Sequence, residues 1–91
     1  MYDWDEKKNE WNKAERHLDF NDAELVFNGP TLTFEDSRVD YGEPRLITFG
    51  LLAERLVVIA HTPRGDKTRI ISMRKGNVRE QKKYSQRLEE N

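Results

Sequence analysis

Three runs of alternating apolar residues, joined by connections too short for anything but a reversal, constrain this chain more than any other feature. Leu46 to Leu51 puts Ile47, Phe49 and Leu51 on one side at period two. Arg55 to Thr62 follows a tight turn at Ala53-Glu54, and Lys67 to Met73 follows Pro63-Arg64-Gly65-Asp66, a strong turn signal. Parallel strands need a crossover of a dozen or more residues, so these three are expected as antiparallel neighbours. A further strand is expected upstream at Thr31-Leu32-Thr33-Phe34. The polar stretch Glu35 to Pro44, with Gly42 and Pro44, reads as a loop exposed to solvent.

Helical patterning flanks this centre. A first helix is expected from Asp5 to Arg16, capped by Asp3 with Glu6 as the reciprocal partner, and lying on the sheet through Trp4, Trp11 and Ala14. A short second helix, capped by Asp19 or Asn21, presents Phe20, Ala23, Val26 and Phe27 on one face. Asn28-Gly29-Pro30 ends it, with Gly29 suited to a left-handed conformation. A last helix begins near Asn77, with Glu80 completing a capping box. It carries Val78, Tyr84 and Leu88 toward apolar contacts and Arg79, Lys82, Lys83 and Arg87 as a basic surface. The order lacks βαβ alternation, so the predicted class is α+β: two N-terminal helices, a four-stranded mainly antiparallel sheet and a C-terminal helix.

At 91 residues the chain has the size of one domain, predicted over residues 1–91. It has no cysteine, which excludes disulfide staples and thiolate metal sites. The opening Met1-Tyr2-Asp3-Trp4-Asp5-Glu6 is acidic, unlike a secretory signal, and the longest apolar run, Leu56 to Ala60, is far too short to span a bilayer. A soluble cytoplasmic protein without membrane contact is the expectation. The net charge of −1 conceals a strong polarity. Residues 1–45 carry 6 Lys/Arg against 12 Asp/Glu, whereas residues 64–91 carry 9 against 4. An acidic partner for the C-terminal part, nucleic acid above all, fits this split; attraction between the two halves fits it equally.

Several chemistries are absent from the pattern. There is no Walker A loop and no glycine-rich dinucleotide fingerprint. His17 and His61 match no zinc spacing, and Ser37, Ser72 and Ser85 lack a nucleophile elbow. What remains is Lys67 to Lys75 running into a basic helix. By plain alternation Arg69 shares a face with Ile71 and Met73, and Arg74 shares the other with Ile70 and Ser72. Arg74 and Lys75 end the strand, and Glu80 and Tyr84, four apart, share a helical face. These residue types suit RNA cleavage without metal or other cofactor. Arg69, Arg74 and Lys75 would hold the phosphate as it gains charge; Glu80, Tyr84 or His61 would move protons. Each has a structural alternative: His61 as a packed histidine, Tyr84 as the helix's core anchor, Glu80 as the partner of the Asn77 cap. For Trp4 and Trp11, core packing is favoured over base stacking.

Trp4-Asp5-Glu6, Lys8-Asn9 and Asn12 near the start, Phe20-Asn21-Asp22-Ala23, Asp40-Tyr41-Gly42-Glu43 with Arg45, and a closing Gly65, Arg69-Ile70-Ile71-Ser72, Arg74-Lys75, Glu80 and Tyr84 form one ordered series. In order and spacing, over nearly the whole chain, the series resembles the BrnT family, toxins of type II toxin–antitoxin systems. The resemblance implies a RelE-like ribonuclease fold and RNA cleavage that arrests translation. It also implies neutralisation by a BrnA-type antitoxin with a ribbon-helix-helix DNA-binding part, two toxins riding on an antitoxin dimer that represses its own operon. The toxin would contact RNA and antitoxin, and DNA only through the antitoxin. The chain departs from the family at Glu15-Arg16-His17, where a K-H-G pattern is usual, and His17 therefore receives no role. The rival expectation is a non-enzymatic module that binds RNA or its partner through the same basic surface, including a degenerate toxin kept for its antitoxin complex.

Overall fold

Both short turns reverse the chain as their sequences require. In the computed structural model, which describes residues 1–90, β3 (Leu46–Leu52) pairs antiparallel with β4 (Arg55–Arg64), and β4 pairs antiparallel with β5 (Lys67–Lys75). Gly65 takes a positive φ of 62° in the second turn, a conformation that costs glycine nothing. The first turn is made by Ala53 and Glu54 at φ 50° and 67°, a left-handed pair without glycine. β2 (Thr31–Glu35) adds antiparallel to β3 and forms one edge of the sheet.

The other edge corrects the sequence expectation. Tyr2–Trp4 forms a strand, β1, running parallel to β5, so the sheet is mixed and five-stranded in the order β1-β5-β4-β3-β2. The layout of two N-terminal helices on four mainly antiparallel strands does not hold; α+β as a class does. The physical reason lies in alternation. Tyr2 stacks on Phe27 with ring centroids 5.5 Å apart, and Trp4 meets Phe20 edge-on at 6.2 Å. Asp3, between them, turns to the opposite face and pairs with Arg69. Asp3 is therefore a strand residue, and Asp5 caps the first helix, α1 (Glu6–Arg16), by accepting from the Lys7 N–H.

A 3₁₀ turn, Phe20–Asp22, capped by Asp19, leads into α2 (Ala23–Asn28). The face expected for it is the buried one: Phe20, Ala23 and Val26 pack with Leu18, Val57, Ile59, Ile70 and Met73, and Phe27 packs against this cluster. Helix α1 differs from expectation. Trp11 stays 54 % exposed under the Arg16 guanidinium, and the residues α1 buries are Asn9 and Asn12. Asn9 accepts from the Phe20 N–H at 2.8 Å and donates to Asp19; Asn12 donates to the Leu18 carbonyl at 2.9 Å. Buried amides that find backbone partners replace an apolar stripe here. Gly29 is extended, and the left-handed residue between the helices is His17, at φ 58°.

The C-terminal helix, α3, covers the other face of the sheet. It begins as Val78–Glu80 behind the predicted Asn77–Glu80 capping box, passes through a π-helical turn at Gln81–Ser85, and ends as Gln86–Glu89. Leu88 packs there with Phe49, Leu56 and Val58, and Tyr84 joins them at the margin. Among the described residues no helix is long and apolar enough to cross a membrane.

One irregularity decides what faces α3. In the β4–β5 ladder Ala60 pairs with Ser72 and His61 with Ile70, so Ile71 is an extra residue, a β-bulge. Past it the parity of β5 reverses. Plain alternation separates Arg69 from Arg74; the bulge returns both to the side of α3, opposite Thr62 and Val58.

Candidate active site

The residues at the end of β5 meet the start of α3 around one carboxylate. Arg74 donates to Glu80 through both terminal nitrogens, Nη1 to Oε1 at 2.8 Å and Nη2 to Oε2 at 3.0 Å. Oε1 also accepts from the Asn77 backbone N–H at 2.9 Å, while the Asn77 side chain accepts from the Glu80 N–H at 2.8 Å. The Arg74 hydrogen bonds hold the Glu80 carboxyl below its ordinary range against the opposing effect of burial. Glu80 raises Arg74 in return. Four residues on, Tyr84 lies 4.3 Å from the Phe49 ring centroid, with Lys83 over its own ring at 5.3 Å.

Facing this wall is the segment expected to be a solvated loop. It is organised around Asp36, whose side chain is only 4 % exposed. Asp36 accepts from Arg38 Nε at 2.9 Å and Nη2 at 3.0 Å and from the Tyr41 hydroxyl at 3.3 Å, and its N–H donates to the Arg45 carbonyl at 2.7 Å. These bonds, Arg38's foremost, push its carboxyl down to about 2. The Arg45 guanidinium lies 3.7 Å over the Tyr41 ring, Asp40 accepts from the Gly42 N–H, and Glu43 pairs with Arg64 at 3.5 Å. The segment Asp40-Tyr41-Gly42-Glu43 with Arg45 thus closes the loop on itself and on β4.

Between loop and helix lies a cavity of about 330 Å³, lined by Phe34, Asp36, Arg38, Arg74, Glu80 and Tyr84 among others. The two guanidinium groups are near enough that Arg38 weighs against the charge of Arg74. Each has a carboxylate partner, Asp36 for Arg38 and Glu80 for Arg74, and Arg38 also interacts with the Tyr41 hydroxyl. Two guanidinium groups beside an ionised carboxylate and a phenol form a place where a phosphate ester can be held and protons moved.

The structure therefore brings together three of the six residues singled out from sequence: Arg74, Glu80 and Tyr84. Arg69 shares their face but sits five residues away, about 15 Å along the strand, ion-paired with Asp3 at 3.7 Å. Lys75 pairs in register with Val57, on the α1 side, and opens on a separate cleft with His17 and Arg55. His61 is on that α1 side too. It is buried, hydrogen-bonded to Thr48 at 2.7 Å and edge-on to Phe27, and burial lowers its pKa. It is a packed histidine, remote from the cavity. Sequence reasoning missed Arg38, Asp36 and Phe34. The signal was an arginine two residues from an aspartate directly after an aromatic strand end. Among the described residues no three His, Asp or Glu side chains converge as metal ligands.

Over residues 4–80 the chain matches the family model described as the ribonuclease toxin, BrnT, of type II toxin-antitoxin systems. The chain belongs to the BrnT family. No curated protein matches it. Membership in BrnT makes it a type II ribonuclease toxin, for which an antitoxin partner is implied. The matched span includes both walls of the cavity, from Phe34 through Arg74 to Glu80, and ends before Tyr84.

Proposed function

We propose that this BrnT chain is a metal-independent endoribonuclease whose cleavage centre is the cavity between the Asp36–Arg45 segment and α3. The observation that carries this reading is the convergence of Arg74, Glu80 and Tyr84 opposite Arg38. A phosphodiester entering the cavity takes hydrogen bonds from Arg38 and Arg74, and in doing so competes with Glu80 for Arg74. Glu80, released from the bonds that depress its proton affinity, becomes a better base and accepts the proton of the 2′-hydroxyl. The 2′-oxygen bonds to phosphorus, the guanidinium groups stabilise the added charge, and the bond to the 5′-oxygen breaks. Tyr84 donates the proton that the leaving 5′-hydroxyl needs. The products are a 2′,3′-cyclic phosphate and a 5′-hydroxyl end.

In the cytoplasm such cleavage arrests translation. A BrnA-type antitoxin with a ribbon-helix-helix DNA-binding part silences it by covering the basic surface with acidic or apolar side chains, so that toxin and antitoxin associate more weakly as salt rises.

The second reading, a module that binds RNA or its partner without cutting, draws on the same geometry, since both guanidinium groups are already paired in the free chain. Labelled RNA incubated with free protein in EDTA decides between them. Wild type is expected to cut, leaving cyclic phosphate ends, and Arg74→Ala to cut about 10²–10³-fold more slowly, the usual loss for one donor at a developing charge. Binding without cleavage by the wild type would instead establish the second reading.

A further inference from the structure

Phe34 is a large aromatic residue on a strand end with 45 % of its surface open. Core packing does not explain that exposure. The ring leans on Phe49 at 6.0 Å and on Tyr84 at 5.9 Å, and the rest borders the cavity that Arg38 and Arg74 share. The backbone around it is fixed: Phe34 pairs with Ile47 in the β2–β3 ladder, and two residues later Asp36 is tied to Arg38, Tyr41 and Arg45. An open ring on a rigid support, beside two guanidinium groups, is how single-stranded RNA is gripped: bases stack on aromatic faces while phosphates take charged hydrogen bonds. Alternation supports the assignment. Ile47 and Phe49 face α3 and bring Phe34 to that side, whereas Thr33 bonds to Thr48 on the other.

We propose that Phe34 is the base-stacking subsite of the cavity, receiving the nucleobase next to the phosphate held by Arg38 and Arg74. The assignment rests on the ribonuclease reading for its ligand class but makes a separate claim, since stacking contributes to binding whether or not the strand is cut. It also divides the loop's labour. Arg38 senses the phosphate, which every nucleotide carries, and Phe34 senses whether a base is present.

The test uses the whole chain and a short fluorescein-labelled 2′-O-methyl oligoribonucleotide, which lacks the attacking hydroxyl and so cannot be cut. A matched set carries one abasic nucleotide at each position in turn. Wild type is expected to bind the intact strand and to lose about tenfold or more at one abasic position, the scale of one stacked base. Phe34→Leu, which keeps an apolar contact with Phe49, is expected to bind the intact strand as weakly as wild type binds that abasic strand, with no further loss on it. Phe34→Tyr is expected to restore affinity. Thermal melting of each variant reports folding, so a variant that melts early is replaced by Phe34→Met.

The proposal is overturned if Phe34→Leu binds intact and abasic strands as wild type does. It is equally overturned if Phe34→Leu loses affinity only for the antitoxin, which would make Phe34 a protein-docking residue, or if wild type binds no strand at all. Binding with the abasic signature, accompanied by failure to cut an all-ribose strand, would sink the cleavage mechanism and leave the subsite standing.

Discussion

Replacing Ala53-Glu54 by Asn-Gly isolates a strain that the hairpin between β3 and β4 carries in its backbone. Leu52 pairs with Arg55, so the loop has two residues, and both have positive φ, 50° and 67°. That is the arrangement of a type I′ turn, for which Asn-Gly is the favoured pair because its twist matches the strands it joins. An ordinary L-residue in the left-handed region costs about 1–2 kcal/mol. Glycine at position 54 removes that penalty but returns about 0.5–1 kcal/mol through the freedom it gains in the unfolded chain. Asparagine at 53 tolerates the conformation better than alanine and adds a smaller gain. The net expectation is about 1 kcal/mol of stabilisation, worth about 4–8 °C in Tm for a chain of this size. Thermal melts of wild type, the double variant and Glu54→Gln measure it. Glu54→Gln removes the charge and keeps the strain, so it is expected to stay within about 0.5 kcal/mol of wild type. An unchanged or lowered Tm for Asn-Gly would refute the reasoning. RNA cleavage is expected to be unaffected, because the turn lies away from the cavity that holds Arg38 and Arg74; a loss of activity would mean that the strain serves the site.

Three further outcomes follow from named contacts. Asp36 has its carboxyl depressed to about 2 in the folded chain from 3.8, so its contribution to stability is complete above pH 4 and disappears as pH falls from about 4 to 2; melts of Asp36→Asn are expected to show a shallower decline than wild type over that window. Gly50→Ala would set a Cβ 2.4 Å from Val26 Cγ1 and 3.3 Å from a Thr31 methyl, where α2 crosses β3. Urea denaturation should register a loss of about 1–3 kcal/mol, and a neutral result would mean that Val26 has room to turn. Asn9→Ala leaves the buried Phe20 N–H without its acceptor and is expected to lose about 1–3 kcal/mol in the same assay; no loss would show that this bond does not hold α1 to the 3₁₀ turn.

The parts of this fold that could be read from sequence are those in which the deciding contact is local. The β3–β4–β5 meander was legible because two short turns fix both register and direction, and the Asn77–Glu80 cap because its two partners are three residues apart. β1 was not, because three residues alternate too briefly to declare a strand and their partner, β5, lies more than sixty positions away. Helix α1 misled for a different reason. A hydrophobic stripe is a sound guide only where burial is apolar, and α1 buries two amides whose backbone partners lie beyond its own end. At the site, Arg74, Glu80 and Tyr84 were legible because a strand end and the next helix turn must adjoin. Arg69, Lys75 and His61 were separated from them by the pairing of Arg69 with Asp3 farther along β5, the register of Lys75 with Val57, and the seat of His61 beside Phe27. Arg38 escaped because a polar, Gly- and Pro-containing stretch reads as solvated, whereas Asp36 gathers it into a wall; Phe34, read only as a strand residue, escaped because the wall beside it was not visible.

Glu80 shows why a structural and a chemical reading of one residue need not compete. Its Oε1 takes the Asn77 N–H, which starts α3, and the same atom takes Arg74 Nη1, which fixes the guanidinium at the cavity. Only Gly76 and Asn77 separate β5 from α3, and Gly76 packs so closely that a Cβ there would lie 2.5 Å from Leu56 Cδ2. The backbone at this corner has little room, so the strand end, the cap and the first helical turn hold their relative places together. Tyr84, on the following turn, inherits its position from that cap and from its seat on Phe49. In the proposed reaction, a phosphate that drew Arg74 away would leave Glu80 still held by the Asn77 N–H, in position but with a higher affinity for a proton. In the proposed mechanism the cap would therefore keep the base aligned during the very step in which its ion pair is given up.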